Sequence, residues 1–181
     1  MQHKFSCKAT MPKQKAIFLD RDGVLNKERG EYTFKPEEFE VIAGVPEALK
    51  LLKNAGFKLI IITNQGGIAK GLYTKQDVLA CHHKLQQECG NLIDFMYMAP
   101  GHPDFTESLS RKPDSLMLEK AIAKFDLDPT QSWMIGDKPR DMEAAAKVGV
   151  NGILVNYKAD GRFPVRAADL LEAAKLIVNR N

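Results

Sequence analysis

Short apolar runs alternate with helical patterns along almost the whole chain, and this alternation restricts the fold more than any other feature. The runs predict β-strands over residues 16–20, 58–63, 94–98, 132–137 and 151–156. The remaining patterned segments predict helices over residues 45–56, 74–90, 115–125, 139–149 and 167–178. Because continuous apolar runs are typical of strands buried on both faces, we expect a parallel sheet. The alternation then predicts an α/β fold, a doubly wound three-layer sheet with right-handed crossovers.

The length and composition predict one globular domain. A chain of 181 residues fits a single domain, which we place at residues 15–181, after a polar and flexible tail at residues 1–14. Hydrophobic residues make up 44% and charged residues 27%, which is typical of a globular protein rather than a disordered or membrane protein. The net charge of +3 disfavours a nucleic-acid-binding surface and suits a small anionic ligand.

The cysteine count and the N-terminal sequence predict a cytoplasmic protein. Cys7, Cys81 and Cys89 are an odd number with no CxxC spacing, as expected in a reducing compartment. The first residues contain no apolar segment of a signal peptide, and no segment approaches the roughly 20 apolar residues that a membrane span needs. We therefore expect no membrane association. We also expect a monomer or a weak homo-oligomer.

Carboxylates follow the first and the fourth predicted strands. Asp20 and Asp22 are two residues apart, so an extended backbone directs both side chains to the same side. Neighbouring carboxylates need a cation, and Mg²⁺ prefers oxygen ligands, although a strand end followed by a turn is the alternative. Asp137 and Asp141 could each cap the helix that Pro139 begins. Because the carboxyl ends of parallel strands meet at one edge of a sheet, two acidic strand ends favour a Mg²⁺ site.

The end of the second strand and one lysine could bind a phosphate group. Thr63 and Asn64 offer a hydroxyl and an amide next to the glycine-containing segment 65–71. The alternative is a helix cap with a glycine-rich turn. The segment "QGGIAKG" matches neither GxGxxG nor the P-loop spacing, so nucleotide binding through those motifs is disfavoured. Lys112 would add a fixed positive charge, although most lysines are solvated surface residues.

Four segments, "FLDRDGVLN", "IIITNQ", "RKPD" and "GDKPRDMEAA", occur in this order within residues 16–155. Together they resemble the four motifs of the haloacid dehalogenase (HAD) phosphatase superfamily. In detail they are similar to its histidinol-phosphate and D-glycero-D-manno-heptose-1,7-bisphosphate phosphatase branch. The resemblance implies a Rossmann-like HAD fold. The segments after Asp20 and after Met98 are too short to hold a cap domain, so we expect a site covered only by loops or by another subunit.

The resemblance implies a chemical role for several residues. Asp20 would be the nucleophile that forms an aspartyl-phosphate. Asp22 would protonate the leaving alkoxide and then deprotonate the hydrolytic water. Thr63 and Lys112 would hold the oxygens of the transferring phosphoryl group.

The resemblance also implies a metal site and a substrate site. Asp20, the main-chain carbonyl of Asp22 and Asp137 would ligate Mg²⁺, with Asp141 as a support. Four further residues are the candidates for binding the substrate: Asn64, Gln65, Arg111 and Lys138.

These roles predict a Mg²⁺-dependent phosphatase that acts on a small phosphorylated metabolite, a sugar phosphate, first of all the 7-phosphate of heptose 1,7-bisphosphate. Histidinol-phosphate phosphatase is the alternative, but Arg111, Lys112 and Lys138 suit a second phosphate better than a cationic amine. A nucleic-acid 3′-end phosphatase domain shares the first two motifs, and the mild charge and the lack of an aromatic and basic surface disfavour it. A non-catalytic binding protein on the same fold is disfavoured because the whole candidate set is present.

The segment between the predicted third strand and "RKPD" is named here the flap, residues 99–110. In this branch of the superfamily the same place often holds a zinc-binding loop of the form C-x-H-x(n)-C-x-C. Here Ser108 and Ser110 occupy the cysteine positions before "RKP". His102 alone cannot supply the four N or S donors of structural zinc, so we expect no zinc. We interpret His102 as a local hydrogen-bonding residue, and a contact from the flap to the substrate is the alternative.

Overall fold

The computed structural model describes residues 13–156 and 165–180. Its centre is a parallel sheet of six strands in the order β3-β2-β1-β4-β5-β6. The strands are β1 Ala16–Leu19, β2 Lys58–Asn64, β3 Phe95–Ala99, β4 Trp133–Gly136, β5 Asn151–Val155 and β6 Arg166–Ala167. The α-helices are α1 Val45–Asn54, α2 Lys75–Glu88, α3 Leu116–Phe125, α4 Pro139–Lys147 and α5 Leu170–Arg180. Two 3-10 helices cover Pro36–Glu38 and Pro129–Gln131.

All five predicted strands and all five predicted helices are present, so the α/β prediction is confirmed. The bounds differ by one or two residues, except at the last helix. The prediction that this helix begins at residue 167 is wrong, because Arg166 and Ala167 pair with β5 as a sixth strand. The helix begins three residues later, at Leu170. A strand of two residues is too short to show a period in the sequence.

Each face of the sheet is covered by its own apolar cluster. Side chains alternate along β1, so that Ile17 and Leu19 join a cluster with α1, α2 and α5 while Phe18 joins a cluster with α3 and α4. Every residue of β1 is buried, as the apolar run predicted. Among the described residues, Cys81 and Cys89 are free thiols buried in the first of these clusters.

The strand order brings three strand ends together. The chain moves outward from β1 to β3 and then crosses back to β4, so β1 lies between β2 and β4. Leu19 is paired with Ile61 on one side and with Ile135 on the other, which brings the three carboxyl ends to the same edge of the sheet. In open α/β sheets, ligands bind at such a reversal of strand order.

The connections above this edge are short. Residues 20–44 contain one 3-10 helix, Pro36–Glu38, and residues 100–115 contain neither a helix nor a strand. The expectation of a fold without a cap domain is therefore confirmed.

Residues 1–12 of the predicted tail lie outside the described residues, while Gln14 forms a parallel bridge with Leu127. Within the described residues, the helices are all too short or too polar to cross a bilayer.

Candidate active site

Asp20 is the first residue after β1 and is almost completely buried. Its main-chain N–H donates to the carbonyl of Ile135 in the neighbouring strand, which fixes the backbone at this point (3.0 Å). Its Oδ1 accepts from the main-chain N–H of Arg21 (2.7 Å) and lies 3.0 Å from Nζ of Lys112. Burial raises the pKa of Asp20 to about 7, although Lys112 opposes the shift. The carboxyl group is therefore held in one position, but its ionisation is unfavourable in free energy unless further positive charge lies nearby.

Lys112 is buried, so the alternative of a solvated surface lysine is wrong. Its Nζ donates to the carbonyl of Ile62 (2.6 Å) and lies 2.7 Å from Oδ1 of Asp141 and 3.0 Å from Oδ1 of Asp20. Burial disfavours the charged amine, but Asp141 and Asp20 outweigh it and raise the pKa of Lys112. A permanent positive charge thus lies directly beside the Asp20 carboxylate.

The main chain of Lys112 is anchored by Asn64, at the end of β2. The Asn64 amide donates Nδ2–H to the Lys112 carbonyl (2.9 Å), and its Oδ1 accepts from the Lys112 N–H (3.0 Å). This pair of hydrogen bonds connects positions 48 residues apart in the chain. Asn64 also lines the cavity described below, where the sequence placed it as a substrate-binding candidate.

Asp137 and Asp141 flank the start of α4, which begins at Pro139 as predicted. The Asp141 Oδ2 accepts from the main-chain N–H of Lys138 (3.1 Å), so the capping interpretation of Asp141 is confirmed. Its other oxygen contacts Lys112, so Asp141 has both a capping contact and a contact in the site. Burial raises the pKa of Asp137, opposed by Lys138, whose Nζ lies 2.7 Å from Asp137 Oδ2.

Three buried carboxylates could hold a cation. Asp20, Asp137 and Asp141 each offer an oxygen, and these oxygens all lie within 4.8 Å of one another. Asp137 Oδ1 is buried and has no hydrogen-bond partner among the described residues. An unpartnered buried carboxylate oxygen and hard oxygen donors fit a divalent cation such as Mg²⁺. The contribution predicted for Asp22 uses its main-chain carbonyl and stays a prediction.

Gly23 makes this close approach possible. Its φ of +83° lies in the left-handed region, and a Cβ built on it would lie 2.5 Å from Oδ2 of Asp137. Only glycine, which has no side chain, allows the segment after β1 to approach Asp137 so closely.

Asp22 lines the cavity, with 28% of its side chain exposed. Three residues donate hydrogen bonds to its carboxylate. Both its oxygens accept from Nε and Nη2 of Arg21, at 2.8–3.2 Å. Asn26 Nδ2 donates to Oδ1 (3.0 Å), and Gln65 Nε2 donates to Oδ2 (3.2 Å). The carboxylate therefore has one defined position.

Thr63, near the end of β2, is buried and shares a partner with Asp22. Gln65 Nε2 donates to the Thr63 hydroxyl (2.9 Å) as well as to Asp22. The side-chain Oε1 of Gln65 in turn accepts from the hydroxyl of Tyr73 (2.7 Å), whose ring stacks on Phe34. The structure thus places Gln65, a predicted substrate-binding residue, as a bridge between two candidate catalytic side chains.

A cavity of about 570 Å³ is lined by Asp22, Asn64 and Gln65. Its wall carries the cations Arg111, Lys138 and Arg140, and also the acidic residues Glu28 and Glu31. Burial and the neighbouring Arg140 lower the pKa of Arg111, which is the behaviour expected of like charges held close together. The cavity is therefore suited to an anionic ligand larger than a single phosphate.

A family model described as haloacid dehalogenase-like hydrolase matches residues 12–155. The chain belongs to the haloacid dehalogenase-like hydrolase family. It is 38% identical over 175 residues to the D-glycero-beta-D-manno-heptose-1,7-bisphosphate 7-phosphatase of Photorhabdus laumondii, covering 91% of this chain and 89% of the relative. It is also 38% identical over 159 residues to the D-glycero-D-manno-heptose-1,7-bisphosphate 7-phosphatase of Chlorobaculum tepidum, covering 80% of each.

A solved structure shares the architecture of this HAD-like hydrolase. The D,D-heptose 1,7-bisphosphate phosphatase from B. bronchiseptica, complexed with magnesium and phosphate, superposes with a TM-score of 0.86 at 29% identity. The match covers 93% of this chain and 100% of that chain. The relationship inferred from the four sequence motifs is confirmed.

The flap of this HAD-like hydrolase contains local hydrogen bonds. The hydroxyls of Ser108 and Ser110 lie 2.8 Å apart, and Arg111 Nη1 donates to the carbonyl of Gly101 (3.2 Å). His102 Nδ1 accepts from the main-chain N–H of Asp104 (3.3 Å), which confirms its interpretation as a local hydrogen-bonding residue. The absence of zinc stays a prediction.

Sequence analysis missed three side chains around the site. Arg21 lies between the two carboxylates of the first motif, so its position alone could have marked it. Arg140 is the second cation after Asp137 in "DKPRD", following Lys138, which is a signal of the same kind. Tyr73 gives no such signal, because its hydroxyl reaches Gln65 only through the turn that joins β2 to α2.

Proposed function

We propose that this HAD-like hydrolase is a Mg²⁺-dependent phosphomonoesterase that removes the 7-phosphate of D-glycero-D-manno-heptose 1,7-bisphosphate. The observation that carries the proposal is the buried pair of Lys112 and Asp20, two residues from Asp22, whose carboxylate lines a cavity together with Arg111, Lys138 and Arg140. The names of the two relatives and of the solved structure support the choice of substrate.

The first half-reaction transfers the phosphoryl group to Asp20. Both described contacts of this carboxylate use Oδ1, so Oδ2 is the oxygen that we propose to attack phosphorus. A bond forms between Oδ2 and phosphorus while the bond between phosphorus and the sugar oxygen breaks. The electron pair of the broken bond stays on the sugar oxygen, which takes a proton from Asp22.

The second half-reaction regenerates Asp20. Asp22, now a carboxylate, accepts a proton from a water molecule whose oxygen attacks phosphorus. The bond between phosphorus and Oδ2 of Asp20 breaks, and inorganic phosphate leaves. One acid/base group therefore serves both steps, which requires that its position be well defined.

Charge compensation is the main task of the remaining residues. Lys112 Nζ would neutralise phosphoryl oxygens beside Asp20, and the Thr63 hydroxyl would donate to another of these oxygens. Asp20 and Asp137 would hold Mg²⁺, with Asp141 balancing the charge of Lys112. When bound, the ion would offset the negative charge that develops on the phosphoryl group.

Three cations in the wall of the cavity support a bisphosphate over the alternatives. Arg111, Lys138 and Arg140 would bind the second phosphate, and guanidinium groups bind phosphate with two parallel hydrogen bonds. The same three cations would repel the amine of histidinol phosphate. For a nucleic-acid end, the described cavity lacks the row of exposed aromatic side chains on which bases stack.

The test is phosphate release from a panel of four substrates in the presence of Mg²⁺. The panel contains both anomers of heptose 1,7-bisphosphate, histidinol phosphate and a 3′-phosphorylated oligonucleotide. We expect kcat/KM to be highest for one heptose bisphosphate anomer, with release of its 7-phosphate only. The Asp20→Asn variant should be inactive on all four. Faster hydrolysis of histidinol phosphate or of the oligonucleotide would replace the proposed substrate.

A further inference from the structure

Arg21 is one of the largest fully buried side chains of the described protein, with 1% of its side chain exposed. Arginine is seldom buried completely, because removing a charge from water is costly unless the charge is paired. This arginine stands in the chain between Asp20 and Asp22, and its guanidinium points to Asp22. A cation buried at such a place requires a structural or functional reason.

The guanidinium contacts Asp22 in a two-pronged arrangement. Arg21 Nη2 lies 2.8 Å from Oδ1 and 3.0 Å from Oδ2, and Nε lies 3.2 Å from both oxygens. Paired donors of this kind fix the plane of a carboxylate as well as its distance. Asn26 and Gln65 each add one hydrogen bond, so the Asp22 side chain is restrained on every side except the one that faces the cavity.

Arg21 is itself fixed by groups outside the first motif. Its Nη2 also donates to the carbonyl of Thr33 (2.7 Å), a residue of the cavity wall. Its guanidinium carbon lies 5.6 Å from the centre of the Phe39 ring, within the range of a cation–π contact. The position of Asp22 is thus tied, through one side chain, to the segment that encloses the substrate cavity.

We propose that Arg21 is a positioning residue that holds Asp22 where its proton reaches the leaving oxygen of the substrate. This inference rests on the acid/base role given to Asp22 under the proposed function. The effect of this positioning on the rate should depend on the leaving group of the ester. An alkoxide is a poor leaving group that needs the proton of Asp22, whereas p-nitrophenolate is stable without one. Displacing Asp22 should therefore slow the hydrolysis of alkyl phosphates far more than that of p-nitrophenyl phosphate.

The experiment compares Arg21→Met and Arg21→Lys with the wild type on three esters in the presence of Mg²⁺. The esters are heptose 1,7-bisphosphate, glycerol 2-phosphate and p-nitrophenyl phosphate. We expect kcat for the two alkyl esters to fall by about 10- to 100-fold in Arg21→Met, and kcat for the aryl ester by less than about threefold. Arg21→Lys keeps the buried charge but loses the two-pronged contact, so it should show the same selectivity to a smaller extent.

A matched control and a double variant separate positioning from a general effect on the fold. Arg29→Met removes an arginine of the same segment whose partners are Glu31 and Glu38, away from Asp22, and should leave all three rates unchanged. In an Asp22→Asn background, Arg21→Lys should cause no further selective loss on the alkyl esters. A loss of rate caused only by a disturbed fold would persist when Asp22 is replaced.

Each result decides the matter. Equal losses on alkyl and aryl esters, or a selective loss that persists in the Asp22→Asn background, would overturn the role of Arg21 and leave the proposed function standing. If Arg21→Met does not fold, the same comparison is made with Arg21→Lys alone. A wild type that hydrolyses none of the three esters would overturn the proposed function, and the role of Arg21 with it.

Discussion

Lys112 Nζ lies 3.0 Å from Oδ1 of Asp20, and both side chains are buried at the carboxyl edge of the sheet. The lysine follows the flap in the chain, and the aspartate follows β1. The contact therefore joins two distant parts of the chain. Loss of either side chain would leave the other charge buried without this partner.

Removing the charge of Lys112 should destabilise the fold as well as abolish activity. In Lys112→Met, Asp20 and Asp141 lose their buried cation, which by analogy with other buried pairs should lower the free energy of unfolding by about 3–5 kcal/mol without Mg²⁺. Urea unfolding measures this loss. The control is Lys147→Met, which breaks the exposed pair with Asp114 (2.7 Å) and should cost less than about 1 kcal/mol. Equal effects of the two variants would contradict the assignment.

The raised pKa of Asp20 should make the stability of the metal-free protein depend on pH. Its folded-state pKa of about 7 lies above the ordinary value of 3.8, so the folded state binds the proton more tightly than the unfolded state. The contribution of Asp20 to stability is therefore complete below about pH 3.8 and is lost as the pH rises through 7. Asp20→Asn should become progressively more stable relative to the wild type between pH 5 and pH 8, measured by urea unfolding.

The same proton should couple Mg²⁺ binding to pH. A metal ion binds the ionised carboxylate, so the increase in Tm caused by Mg²⁺ should be larger at pH 8 than at pH 5.5. Asp137, whose pKa is also raised by burial, acts in the same direction. A Mg²⁺-dependent increase in Tm that is independent of pH would rule out Asp20 and Asp137 as the ligands.

Removal of Mg²⁺ by a chelator should abolish phosphate release reversibly.

Gly23→Ala should weaken Mg²⁺ binding through a steric effect on Asp137. The new Cβ would lie 2.5 Å from Oδ2 of Asp137, at a φ of +83°. Gly56→Ala is a matched control, because its φ is +84° and nothing lies within 4 Å of its Cβ. Both variants should lose about 1 kcal/mol of stability from backbone strain. Titration of Mg²⁺ by calorimetry should show a raised Kd for Gly23→Ala alone; a raised Kd for both would remove the steric explanation.

Metal analysis of protein purified without added zinc should find no stoichiometric zinc. Serine hydroxyls are poor zinc ligands, and in the flap Ser108 and Ser110 are hydrogen-bonded to each other. Treatment with a zinc-selective chelator should leave both the Tm and the Mg²⁺-dependent activity unchanged. One zinc ion per chain would show that this interpretation of the flap is wrong.

The sequence could predict those features that depend on short-range patterns. The strands β1 and β2 were visible because burial on both faces produces continuous apolar runs. Asp20, Thr63 and Asp137 were visible as candidates because polar residues directly after such runs must lie at the edge where ligands bind. The two-residue strand β6 has no pattern of its own and depends on pairing with β5.

Contacts between distant segments could not be predicted in this way. Asn64 and Gln65 were expected to bind the substrate, but the structure also gives them partners in Lys112, Asp22 and Tyr73. Which atoms an amide meets depends on how the flap and the turn after β2 pack, and this packing has no period in the sequence. The place of Arg21 between Asp20 and Asp22 is visible in the sequence, but its contacts with Thr33 and Phe39 are not.

The two oxygens of Asp141 have different partners. Oδ2 accepts from the main-chain N–H of Lys138 and so caps α4, while Oδ1 contacts Nζ of Lys112. A descendant of this chain that lost its chemistry would therefore still gain from keeping an acidic side chain at this position, because α4 needs its cap. Asp141 would then persist as a relic of the site in proteins that no longer hydrolyse anything. Of the acidic residues at this edge, it is thus the least reliable guide to whether a related protein is an active enzyme.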